Sequence, residues 1–63
     1  MTYAQAIIML RKRLLLTQAE FAKKMGVAFA TVNRWEKGLH EPTMKAKRKL
    51  APLFKKYCIS VGA

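Results

Sequence analysis

At 63 residues with 52% hydrophobic side chains, the chain is long enough for one small core and leaves no room for a second domain. Thirteen Lys and Arg against three acids, a net charge of +10, point to a polyanionic partner, and the apolar content excludes a disordered basic tail. No apolar run approaches the roughly 18 residues that span a bilayer, no signal-peptide layout is present, and the one cysteine, Cys58, has no internal partner, so a cytoplasmic setting is expected.

Thr2 is a usable N-cap, and Tyr3, Ala6, Ile7, Leu10 and Leu14 keep helical spacing, predicting a first amphipathic helix from Thr2 to about Leu15. Arg11, Lys12 and Arg13 stand near its end, where positive charge complements the helix dipole. The next helix is better marked. Thr17 and Glu20 make a capping box, Leu16 and Phe21 have the spacing of a hydrophobic staple, and Phe21, Ala22 and Met25 form a narrow apolar stripe. Gly26 ends it, because glycine takes the left-handed conformation cheaply.

A third helix is expected from about Phe29 to Lys37, with Val32 and Trp35 inside and Phe29, Ala30, Asn33, Arg34 and Lys37 outside; Gly38 is its stop. Ala28 cannot cap it with a side-chain oxygen, a loss of about 1 kcal/mol relative to Ser or Thr. Gly38 to Pro42 reads as a loop with Leu39 as its core anchor, and Thr43 as a fresh N-cap. Ala46, Leu50, Leu53, Phe54 and Tyr57 then keep helical spacing across Pro52, which predicts a final helix over about 43–58, kinked or broken near that proline. No stretch alternates with period two, so the fold is expected to be all-α.

Ala22, Gly26 and Val32 occupy the fifth, ninth and fifteenth places of a unit that begins at Gln18. Together with Arg11, Thr17-Gln18 and Arg34-Trp35-Glu36-Lys37-Gly38, this spacing resembles the helix-turn-helix of phage Cro and repressor proteins, the Xre-like family, from about Leu10 to Pro42. The resemblance implies a small four- to five-helix, lambda-repressor-like DNA-binding domain, with its helix-turn-helix unit at 18–37. Ala22 is small where two helices cross, Gly26 makes the turn, and Val32 fills the wedge between them. The resemblance also implies an internal pair between Arg11 and Glu36, with Trp35 in the core. Where many relatives carry glycine this chain has Leu15, and helix is expected to extend into that loop.

In such a fold the helix from Phe29 lies in the DNA major groove. By matched positions Ala28, Phe29, Ala30 and Arg34 face the bases, Thr31 faces base or phosphate, and Asn33 lies nearer the rim. Arg34 has the fork for a guanine and Asn33 the amide for an adenine, each such contact being worth roughly 1 to 3 kcal/mol. Ala28-Phe29-Ala30 replaces residues that are usually polar in relatives, so thymine methyls opposite this stretch and a weaker specificity are expected. A packing or dimer contact suits Phe29 equally. Gln18 with its helix N-terminus, and Lys37, His40, Thr43 and Lys45, are the candidate phosphate contacts. Most of Lys47, Arg48, Lys49, Lys55 and Lys56 are expected in solvent, and Glu41 alone in its loop.

His40 has no second histidine, and no pair of catalytic groups sits at a workable spacing, so no enzyme, metal, cofactor or small-molecule substrate is expected. These residues describe a sequence-specific double-stranded-DNA regulator, repressor-like, of prokaryotic or phage type and nucleoid-associated, binding as a homodimer on paired half-sites. The alternative is an antitoxin or accessory module whose protein partner comes first and DNA second. A membrane-active cationic peptide is disfavoured, since it needs none of the capping and turn residues.

Overall fold

A computed structural model of the chain describes residues 1–61, as α1 (Tyr3–Arg13), α2 (Gln18–Met25), α3 (Phe29–Glu36) and α4 (Met44–Lys56), with no strand among them. The single-domain expectation reaches residue 63; residues 62 and 63 lie outside the described ones. No helix among the described residues is long and apolar enough to cross a membrane.

Three helices start on a threonine. Thr2 and Gln5 form a reciprocal capping box at α1, Thr17 and Glu20 another at α2, and the Thr43 hydroxyl accepts the Ala46 N–H at α4. The fourth start is different: Ala28 precedes α3 with extended backbone and no side-chain cap. Each orphan N–H there is left to water or to a ligand.

All four helices end in one motif, in which two N–H groups reach back to satisfy the last carbonyls. After α1 the Leu15 N–H donates to the Lys12 carbonyl and the Leu16 N–H to that of Arg11, both at 3.1 Å. Equivalent pairs of bonds come from Gly26 and Val27, Gly38 and Leu39, and Cys58 and Ile59. The motif needs a left-handed residue, and φ is 58° at Leu15, 71° at Gly26, 76° at Gly38 and 56° at Cys58. The expected extension of α1 therefore does not occur. Leu15 adopts the glycine conformation itself, with its side chain 89% exposed.

The core draws on every helix: Ala6, Ile7 and Leu10 from α1, Phe21, Ala22 and Met25 from α2, Val32 and Trp35 from α3, and Ala46, Leu50 and Phe54 from α4, closed by Ile59. Each such large side chain contributes about 1.5–3 kcal/mol on burial. Tyr3 packs at its edge, with its ring centroid 6.4 Å from that of Phe54 and the Lys47 ammonium 4.8 Å from its face.

One loop expectation changes: Leu39 is 67% exposed and does not anchor its loop; Pro42 is the buried residue there. The α4 helix runs through Pro52 as one element, which, of the two readings, excludes the break, and it ends at Lys56. Proline removes the hydrogen bond to the carbonyl four residues back, that of Arg48, and both residues are exposed, on the face of α4 where that loss costs least.

Candidate nucleic-acid interface

The α2–α3 pair is held by a network that starts on α1. The Arg11 guanidinium grips Glu36 with two bonds, Nε to Oε2 at 2.7 Å and Nη2 to Oε1 at 3.1 Å, and its Nη1 donates to the Leu16 carbonyl. Gln18 adds a third donor to the carboxylate, Nε2 to Oε1 at 3.0 Å. With 18% and 7% of their side chains exposed, Arg11 and Glu36 are shielded enough for the bond to count. The hydrogen bond to Glu36 raises the Arg11 pKa above its ordinary value, against a smaller opposing effect of burial. Three elements, α1, the start of α2 and the end of α3, are thereby tied at one carboxylate.

This changes the standing of Gln18. Its amide, expected at a phosphate, donates to Glu36 from a half-buried residue; its neighbours Thr17, Ala19 and Glu20 at the α2 start are exposed.

On α3 the residues expected at bases lie as follows. Ala28, Phe29, Ala30 and Arg34 are exposed, Thr31 and Asn33 half-buried, and Val32 and Trp35 buried. Thr31 and Arg34 share a shallow cavity of about 210 Å³ with Trp35, His40, Glu41 and Thr43, which joins two base candidates to two phosphate candidates. Lys45 belongs to a second concavity of about 220 Å³, against Gly26 and Val27 at the α2–α3 turn. Lys37 is exposed at the end of α3. Gln18 stands apart, in the network around Glu36.

Two contacts here were not foreseen. Lys49 is exposed as expected, but its ammonium also donates to the Met25 carbonyl at 3.2 Å, capping the end of α2 beside the turn. Lys45 and Lys49 are four apart and share one face of α4, the one signal in the sequence for this placement. Glu41 is not alone either, since Lys47 pairs with it at 3.2 Å. With Glu20 in a capping box and Glu36 held by Arg11, every acid of the chain has an internal partner. The surface field is therefore set by cations.

Comparison with known proteins agrees with this architecture. No curated protein and no solved structure gives a significant match. The family model described as helix-turn-helix matches residues 7–57, from the middle of α1 through the end of α4, and the chain belongs to the Xre/Cro-like helix-turn-helix family of DNA-binding domains.

Proposed function

We propose that the domain is a sequence-specific, repressor-like transcriptional regulator that inserts α3 into the major groove of double-stranded DNA. The observation that carries this is the outward face of α3: Phe29, Ala30, Arg34 and Lys37 are exposed on a helix whose other face is locked through Trp35 to the core and through Glu36 to α1. Arg34 reads a guanine, Asn33 touches an adenine at the rim, and Ala28, Phe29 and Thr31 line the rest. Phosphates are held by the α2 start at Gln18 on one side and by Lys37, His40, Thr43 and Lys45 on the other.

The family's pairing on two half-sites extends this reading. The longest Cα extent of the domain is 24 Å; about 3 Å of side chain on each side gives about 30 Å, less than the roughly 34 Å of one DNA turn, so two copies one turn apart fit side by side on the DNA without overlap. A second reading, a module that docks first on a protein, draws on Leu39 and Met44, which are 67% and 63% exposed; a stoichiometric partner in a pull-down would favour it.

Selection of bound sequences from a random duplex library at physiological salt, repeated at higher salt, tests the proposal. An enriched inverted repeat with fixed spacing supports it. Flat enrichment, with binding that vanishes as salt rises, leaves only the phosphate contribution and refutes autonomous recognition.

A further inference from the structure

Phe29 stands at the first residue of α3 and is 53% exposed, the one large apolar side chain of that helix left in water. Ala28 and Ala30 flank it, both exposed, and no side chain caps the helix start, so these three positions bring no polar side-chain atom to the surface. The exposed cations of the same unit are Arg34 on α3, Lys37 at its C-cap, and Lys45 and Lys49 against Gly26 and Val27, in the turn that leads into α3.

A protein partner that covered Phe29 with apolar surface would need a broader apolar patch. The remaining exposed large apolar residues are Met1, Met9, Leu15, Leu39 and Met44, none of them on α3. An isolated apolar spot among positive charges matches the major groove instead. There the phosphates supply the negative charge, and the one apolar group on any base edge is the methyl on C5 of a pyrimidine.

We propose that Phe29 reads that 5-methyl group, so that the domain binds thymine and 5-methylcytosine at one position and disfavours uracil and unmethylated cytosine. The proposal rests on the reading of α3 as the groove helix. Thymine and 5-methylcytosine differ at C4, where one carries an acceptor and the other a donor. Neither phenylalanine nor alanine can hydrogen-bond to either group, so the contact distinguishes the methyl and not the base. Binding then responds to the C5-methylation state of cytosine.

The test uses the site obtained by library selection. Each thymine is replaced singly by uracil, and the position that responds is then also built as a C·G pair with and without the 5-methyl group. For the wild-type chain, uracil should weaken binding about fourfold at that position, the factor that burial of one methyl is worth. 5-Methylcytosine should bind about fourfold more tightly than cytosine. In Phe29→Ala both ratios should fall to about one, with the unfolding temperature and the salt dependence unchanged because the residue is exposed.

Equal binding of thymine and uracil at every position overturns the proposal, as does 5-methylcytosine binding no better than cytosine. Methyl dependence that survives in Phe29→Ala overturns the assignment to Phe29. A selection that enriches nothing refutes the groove-helix reading and this inference with it, whereas an enriched site without a uracil-sensitive thymine refutes this inference alone.

Discussion

Leu15 and Cys58 hold the backbone position that glycine fills at the ends of α2 and α3. A side chain in the left-handed region costs roughly 1–2 kcal/mol, and Leu15, 89% exposed, makes no packing that offsets it. Glycine relieves that cost but gains freedom in the unfolded chain, so Leu15→Gly and Cys58→Gly should each stabilise by about 0.5–1 kcal/mol. Thermal unfolding should show each midpoint rising by several degrees, and the two gains adding, since the sites belong to different helix ends; a fall at either site would mean the side chain has a hidden contact. At Glu36 the sign is opposite. Glu36→Ala strands the Arg11 guanidinium and the Gln18 amide, at a cost of about 2–3 kcal/mol. That is a large part of what so small a core supplies. Arg11→Met with Glu36→Leu removes both charges and should lie within about 1 kcal/mol of the parent, a contrast that urea titration resolves. Because the pKa of Arg11 is raised on folding by Glu36, its contribution is present below the ordinary arginine value wherever the Glu36 carboxylate is ionised, and is lost as pH rises through the raised value.

At the scale of elements, the uncapped start of α3 is the place where the fold gives up stability. Ala28→Ser supplies the missing oxygen and should stabilise by about 0.5–1 kcal/mol, raising the unfolding midpoint by a few degrees. An unchanged midpoint would mean that the exposed N–H groups are already satisfied by water. The helix starts were legible in the sequence because capping is local: Thr17 and Glu20 are three residues apart, and their bonds need nothing else. Helix ends were legible only where glycine marked them. Leu15 and Cys58 take the same conformation against their own preference, imposed by Leu16 and Ile59 turning back to the core, and propensity carries no sign of that. Leu39 shows the converse. It holds the same place after α3 as Leu16, Val27 and Ile59 hold after the other helices, but the carbonyl its N–H reaches belongs to Arg34, on the outer face, so it stays outside. A loop has no period from which to tell which apolar residue turns inward, and Pro42 rather than Leu39 does so. On the candidate site, the outward face of α3 followed from helical period. The Lys49 bond to Met25, across 24 residues of sequence, had only the Lys45–Lys49 spacing behind it, which names no partner, and the commitment of Gln18 to Glu36 across 18 had no local signature.

The molecule as a whole carries +10 with all three acids engaged internally, so its attraction to DNA has two separable sources. One is counterion release at phosphates, which is blind to sequence and scales with salt; the other is contact with base edges, which is nearly blind to salt. Lys45 and Arg34 sit in different concavities, one against the α2–α3 turn and one between α3 and the following loop, and should divide along that line. Lys45→Ala should weaken binding to every duplex by a similar factor and flatten the slope of log affinity against log salt by about 0.9, the value for one phosphate. Arg34→Ala should weaken the selected site by about 1–3 kcal/mol and scarcely change binding to random duplex, so that preference for one guanine is lost. Titrations of both variants on both duplexes at several salt concentrations separate the two. If Arg34→Ala instead weakened both duplexes equally and flattened the slope, Arg34 would hold a phosphate, and recognition by this face would rest on the apolar start of α3 with Thr31 and Asn33.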